Sequence, residues 1–459
     1  MIMAHQTLPV KNIIIPIEIQ NREMFAKLYL GAVAATRGYN VVVGDQKEIV
    51  KGLYRFSPSL YLDKSVAKTK LYHFQKLKKL GHIPIALCEE GLVYRDTKRY
   101  LRERVDLDAM AEVSRFFCWG RNQRSHIEKK IKEREKLKIV GNPRFDLLRD
   151  EFRLLWEEDC RLLKEKYGRF ILVNTNFSRG NRIAGTDDVI QLLKKRGTLD
   201  SEDGEEYYGG LIEHLQKLFS EFLKAIPVVA ERFPSHTVII RPHPGEDLEP
   251  YYELAEALPN VQVQKKGSVI TWLLAAECVI HNSCTTGVEG WILGRPVISY
   301  MPVKNNIFDS YLPNEMSYKC DNLSSLNRTI DGLIEANVKF EKTSAAMQLA
   351  EEYIYGVRGS LAADALVDEL PRVNVEDSML ARGCEFGYSF GKGCLRRLPG
   401  FRLSKGLTEL AQQKFPGMPM SELNEFMIRI GKCRPELKNV SLAEFSGLNN
   451  VFYITPKEL

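Results

Sequence analysis

The sequence predicts an α/β protein built from two doubly wound parallel sheets. Two observations predict it. Short runs rich in Ile and Val alternate with helical segments from Lys11 to Leu370, the rhythm of parallel strands joined by crossover helices. Several of these runs also stop at turns of Gly, Pro and small polar residues, where ligands of open α/β sheets bind. The pattern is clearest from His236 to Pro302, which reads as strand, charged turn, helix, strand, short helix, strand, hydroxyl-rich turn, helix and strand.

In the N-terminal half, Lys11–Glu18 reads as the first strand, Glu23–Thr36 as a helix stopped by Gly38, and Tyr39–Val43 as the second strand. Ser59–Leu62 is a short third strand, Lys68–Leu80 a basic helix, and His82–Cys88 a strand that runs into Glu89-Glu90-Gly91. Adjacent acids at a strand end are either solvated or, where neighbours tune them, placed to act as a general base. Arg115–Trp119 is a further strand, Arg121–Glu135 a charged helix, and Leu137–Val140 leads into the Gly141-Asn142-Pro143 turn. Arg144 then either meets an anion or pairs with Asp146. Residues 1–150 make one domain of ordinary size.

Residues 151–370 form the second. A linking helix over Phe145–Tyr167 precedes a strand at Phe170–Asn174 and a polar loop, Asn174 to Gly180. Ile183–Gly210 reads as a long acidic loop, Leu211–Phe233 as a helix. Val238-Ile239-Ile240 stops at Arg241-Pro242-His243-Pro244-Gly245, so His243 stands at a strand's carboxyl end between two prolines. Cys278-Val279-Ile280 stops at His281-Asn282-Ser283-Cys284-Thr285-Thr286-Gly287, where a helix begins. Small hydroxyl residues and a glycine there let backbone amides and the helix dipole face a phosphate. Alone, Ser283 or Thr285 is also an N-cap worth about 1 kcal/mol. The two turns recur at equivalent ends of one sheet, which favours a shared ligand.

The chain of 459 residues has room for two or three domains, and 44% apolar with 27% charged residues is ordinary for a soluble protein. Nine cysteines without a C-x-x-C pair or zinc spacing point to a reducing, cytoplasmic setting and no structural metal. Ile13–Ile19, broken by Pro16 and Glu18, is a first strand rather than a signal peptide. After Pro371 a basic extension, 371–459, is expected. Between 379 and 406 it carries Arg382, Lys392, Arg396, Arg397, Arg402 and Lys405 against Glu385 alone, interleaved with Phe386, Tyr388, Phe390 and Phe401. Such a stretch suits a solvated basic face, an acidic acceptor or peripheral contact with a membrane.

Two α/β halves facing a cleft resemble the GT-B fold of glycosyltransferases, two Rossmann-like domains. Glu89-Glu90-Gly91 resembles the acidic motif of bacterial sialyltransferases, His243-Pro244 their His-Pro motif, and Ser283-Cys284-Thr285-Thr286 their Ser/Thr motif, all in the family's order. The segments Gly141–Asp146, Arg241–Asp247 and His281–Gly294 are closer still to surface carbohydrate biosynthesis proteins, relatives of the capsule transferases that use CMP-Kdo. The resemblance covers roughly residues 10–370. It implies a metal-independent transferase without a cofactor, moving an acidic sugar (nonulosonate or Kdo type) from a CMP-linked donor to a glycan or lipid-linked glycan acceptor, with no nucleic-acid partner. Glu90, or else Glu89, would deprotonate the acceptor. His243 would hold or protonate the leaving phosphate, which Asn282, Ser283, Thr285 and Thr286 contact with the Pro244-Gly245 turn. Arg241 would add a charged fork and Glu289 would meet the ribose. Cys284 departs from the hydroxyl pattern. Glycerophosphotransferases using a CDP-linked donor, nucleotide-sugar epimerases and a non-catalytic scaffold of polysaccharide assembly are the alternatives.

Overall fold

The computed structural model describes residues 8–182, 185–195, 199, 203–335, 340–375, 382–383 and 414–457. The chain divides into two compact units, each a doubly wound α/β structure, so two Rossmann-like units are present as expected of a GT-B-like chain.

The first unit contains β1 (Asn12–Ile17), β2 (Asn40–Asp45), β3 (Leu60–Asp63), β4 (Ile83–Leu87), β5 (Phe116–Cys118) and β6 (Leu137–Ile139), paired in parallel in the order β2-β1-β3-β4-β5-β6. Ile13, Ile14, Ile15, Val41 and Val43 are fully buried, as continuous β-branched runs in a parallel sheet covered on both faces should be. Helix α1 (Gln20–Thr36) packs on this sheet. Gly31 lies so close to β2 that an added Cβ would stand 3.2 Å from Val41.

The second unit contains β7 (Phe170–Asn174), β8 (Thr237–Arg241), β9 (Val261–Val263), β10 (Cys278–His281), β11 (Val297–Tyr300) and β12 (Tyr318–Cys320). All pair in parallel in the order β9-β8-β7-β10-β11-β12. This is the dinucleotide-fold order, whose direction reverses between β7 and β10. The long helix α2 (Gly204–Arg232) buries Leu211, Leu215, Leu218, Phe222 and Val229 in a core shared with Ile171, Ile240, Ile280 and Ile298.

The partition differs from the expected three segments. The chain returns to the first unit at Glu351 rather than ending the second domain at 370. Asp146 fixes part of this return, its carboxylate accepting the amides of Ala362 and Ala363 at 2.8 Å at the start of the helix Ala362–Asp368. Asp146 thus caps a helix, and Arg144 lies over the Trp119 and Phe145 rings. The supposed extension also completes the first sheet. β13 (Val440–Glu444) and β14 (Val451–Pro456) form a hairpin whose second strand pairs antiparallel with β2. The basic stretch 379–406 lies outside the described residues except for Arg382 and Gly383.

Three local expectations are corrected. The charged segment from Arg121 is helical only to Ile127, because Ile127 and Ile131 are its few apolar anchors. The linking helix resolves into Pro143–Asp146, a 3₁₀ segment Asp150–Leu155 and a helix Glu157–Tyr167. The expected acidic loop contains a helix, Gly185–Lys195, whose Val189 and Leu193 are buried, and the start of α2 at Gly204.

Candidate functional site

In the second unit the carboxyl ends of the strands set a row of polar residues in register. Arg241 stands beside Asn174, Asn174 beside His281, and His281 beside Ser299. The reversal between β7 and β10 falls at Asn174 and His281, and the loops that follow these two strands flank the point where such sheets open to ligand. Asn176 donates its backbone amide to the Asn282 side-chain oxygen at 2.8 Å across this point. The Nδ2 groups of Asn174 and Asn282 are buried and find no hydrogen-bond partner among the described residues. Buried amide donors are usually hydrogen-bonded, and these two stand where the strand order reverses.

Helix α5 (Thr285–Ile292; α3 being Glu249–Ala257 and α4 Val269–Ala275) starts at the hydroxyl-rich turn. Its Gly287 amide donates back to the Cys284 carbonyl at 3.1 Å, and the Thr286 and Gly287 amides also face the Cys284 thiol, so this donor end is partly engaged within its own turn. Ser283 reaches it in the left-handed region at φ 61°, an unusual conformation for a residue with a Cβ. Its hydroxyl anchors the turn, accepting the Ser310 amide at 2.6 Å. The close start of α5 depends on Gly287, where an added Cβ would stand 2.4 Å from His281 Nε2. His281 is fully buried, its Nε2 bonded to the Ser317 hydroxyl at 2.8 Å, and burial pushes its pKa down to about 3. Thr285 and Thr286 are half-buried, and Cys284 lies 2.6 Å from the Thr286 hydroxyl, so the cysteine is a partner of the turn rather than a gap in it. Glu289 is 3% exposed inside α5.

His243 is exposed, and its surroundings are built by a residue that the sequence reading passed over. The buried Glu246 carboxylate accepts the amides of His243 and Phe177 at 2.9 Å each, the Thr175 hydroxyl at 2.9 Å and the Tyr251 hydroxyl at 2.5 Å. Glu246 in turn donates its own amide to the His243 carbonyl. One carboxylate therefore joins the loop after β7 to the loop after β8. Burial raises its pKa against the pull of these donors. Gly245 N–H donates to His243 Nδ1 at 3.1 Å, which leaves the proton of the neutral ring on Nε2, so Nε2 is the donor. Pro244 is exposed, and Gly245 passes so near Ser178 that a Cβ would stand 3.3 Å from it. Arg241 does not extend as a charged fork. Its guanidinium donates to the carbonyls of Lys266 and Gly267 and lies over Trp272, 5.1 Å from the ring centre, and burial lowers it to about 10.

In the first unit the two acids differ. Glu89 is held 3.6 Å from Lys27 and accepts from Asn142 Nδ2 at 3.3 Å, beside a small cavity also lined by Arg22, Glu23 and Arg144. Its side chain is 8% exposed, whereas that of Glu90 is 48% exposed and ion-paired to Arg104. Lys64, after β3, pairs with Glu18, and burial followed by the Lys70 charge lowers its pKa to about 8. The structure thus brings His243, Asn282, Ser283, Thr285 and Thr286 to one rim of the second unit and sets the two glutamates on the first. The missed residues carried modest signals: Glu246 follows His243 by the three-residue spacing at which an acid caps an amide, and Thr175 stands in the polar loop after β7. Among the described residues no group of three or more His, Cys, Asp or Glu is arranged to hold a metal, and no helix is long and apolar enough to cross a membrane.

No protein-family model matches the chain, and no curated protein matches it. Solved structures do show similarity. A UDP-GlcNAc 2-epimerase from Methanocaldococcus jannaschii is 12% identical, with a TM-score of 0.48 over 78% of this chain and 98% of that one. The S. aureus MnaA–UDP structure is 12% identical, with a TM-score of 0.47 over 79% and 96%. The wall teichoic acid polymerase TagF is 12% identical, with a TM-score of 0.48 over 78% and 87%.

Proposed function

We propose that this protein is an enzyme of surface carbohydrate synthesis that uses a nucleotide-activated donor, whose phosphate docks at the carboxyl rim of the second unit. The observation that carries the reading is the convergence there of the start of α5, the unpartnered amides of Asn174 and Asn282, and a histidine whose loop Glu246 holds. These are oriented donors, and oriented donors are what a leaving phosphate needs when the bond to the sugar breaks and its electron pair moves to oxygen. His243 Nε2–H donates to that oxygen, and Asn282, Thr285 and Thr286 share its charge. Glu90, the exposed member of the acidic pair, is proposed as the base that takes the acceptor's hydroxyl proton; Glu89 is the buried partner of Lys27. Arg241 is left out of the phosphate site because its guanidinium is engaged by carbonyls.

The finer reading from the motifs is a CMP-linked acidic sugar. A CDP-linked polyol phosphate or a UDP-sugar would present the same phosphate to the same turn. The test is a thermal-shift titration with CMP, CDP, UDP and GDP, without and then with Mg²⁺. A ligand at 100 times its Kd adds about 2.7 kcal/mol of stability. Selective stabilisation by CMP supports the acidic-sugar donor, by CDP the glycerophosphotransferase, and by UDP the epimerase. No response to any of the four overturns the nucleotide reading and returns the scaffold alternative.

A further inference from the structure

Beside the phosphate turn the second unit holds two arginines that the proposed reaction does not use. Arg95 donates through Nε to the Phe308 carbonyl at 2.6 Å. Arg179, in the loop after β7, lies over the Tyr208 ring at 5.5 Å. The surrounding wall is aromatic: Tyr207 packs on Phe308 at 5.4 Å, and His214 on the same ring at 5.7 Å. This wall is tied to the turn. Phe308 is two residues before Ser310, whose amide donates to the Ser283 hydroxyl.

The two guanidinium groups are near enough to repel, and that repulsion adds to burial in lowering the pKa of Arg95. Among the described residues neither makes an ion pair with a carboxylate. The acid that acts on Arg95 is Asp309, and both its oxygens are engaged, one by His214 at 2.8 Å and the other by the Asn305 amide at 2.8 Å. Two like charges, both half-buried and without a counter-ion among the described residues, are costly unless an anion joins them in the working state. Guanidinium forks suit planar or tetrahedral oxyacids, and flanking rings keep such a contact dry.

We infer that Arg95 and Arg179 form a subsite for a second anionic group of the ligand, a phosphate or a carboxylate, next to the phosphate received by the turn at Ser283–Thr286. The inference rests on the nucleotide-phosphate reading for where the first anion lies. Its chemistry is common to two sources: the second phosphate of a nucleoside diphosphate, or the carboxylate of an acidic sugar on a nucleoside monophosphate.

The experiment is isothermal titration of the full chain and of Arg179→Gln with CMP, CDP and CMP-N-acetylneuraminate, together with thermal shifts in inorganic pyrophosphate. Arg95→Lys, which keeps a cation near the Phe308 carbonyl, is the second variant, and circular dichroism confirms that both fold. Loss of one charge-assisted contact removes about tenfold in affinity. For the phosphate source, the preference for CDP over CMP falls about tenfold in Arg179→Gln while CMP affinity is unchanged. For the carboxylate source, the preference for the sugar nucleotide over CMP falls instead. A preference that survives in both variants, or is absent from the parent, overturns the subsite and leaves the nucleotide reading intact. If no nucleotide binds the parent, the nucleotide reading fails and pyrophosphate decides the subsite. Stabilisation lost in Arg179→Gln sustains it, and equal stabilisation or none overturns it.

Discussion

Replacing Glu246 tests whether one carboxylate holds the two loops of the second unit in register. In Glu246→Ala four donors lose their acceptor: the His243 and Phe177 amides and the Thr175 and Tyr251 hydroxyls. The hydroxyls recover in part, because Tyr251 already reaches the Thr175 oxygen at 3.1 Å. The two amides cannot turn away, and each buried donor left unpaired costs about 1–3 kcal/mol, so the alanine variant loses roughly 2–6 kcal/mol. In Glu246→Gln the remaining carbonyl oxygen still accepts both amides, and the new amide group faces hydroxyls that rotate to accept it. That variant loses about 1 kcal/mol. The pH dependence separates them further. The folded-state pKa of Glu246 is raised, so the folded protein binds the proton more tightly and the group's contribution falls as pH rises from about 4.3 to that raised value. Gln does not titrate, so the stability advantage of the parent over Glu246→Gln is larger at pH 4 than at pH 7. Denaturant unfolding at the two pH values measures this. A loss below about 1 kcal/mol for Glu246→Ala would refute the assignment of Glu246 as the tie between the loops.

Three further outcomes are expected. His243→Ala lowers kcat by about 10² or more in whichever donor assay responds, because an oriented donor to the leaving phosphate is lost; near-normal turnover removes His243 from the chemistry. Gly287→Ala forces a Cβ to within 2.4 Å of His281 Nε2, costs about 1–3 kcal/mol by overpacking and weakens nucleotide binding, both read by thermal shift with and without ligand. Stability falls as pH drops below about 6.5, because His281 stays neutral when folded, with a pKa of about 3, and takes a proton only on unfolding. At pH 5 this group alone accounts for about 2 kcal/mol, and unfolding curves of His281→Gln should be flatter between pH 7 and pH 5.

Where an element's cause is local, the sequence displays it. The parallel strands were legible as uninterrupted Ile and Val runs because both faces of each sheet are covered. The hairpin Val440–Pro456 was not legible, since it pairs with Val41–Gly44 some four hundred positions earlier and its own alternation cannot name that partner. The helix Gly185–Lys195 hid for a different reason: the acidic stretch after it reads as loop, while its buried Val189 and Leu193 are a weak period in so short a segment.

The site divides along the same line. His243 and the turn Ser283–Gly287 stood out because prolines, hydroxyls and a glycine at strand ends announce a backbone shaped for a ligand. Arg241 stood out for its charge, yet the structure turns it onto two carbonyls, since charge alone does not say what a guanidinium will meet. Glu246 was the reverse, a single acid that reads as solvated after a turn and is instead buried under four donors. The left-handed Ser283 joins the two cases. Its side chain and backbone are both committed, one to the Ser310 amide and the other to aiming α5, so Ser283→Gly would relieve the φ of 61° and still release the 305–310 loop. The strain at this residue is therefore balanced by the contact it makes, which ties the turn Ser283–Gly287 to the wall where Arg95 and Arg179 stand.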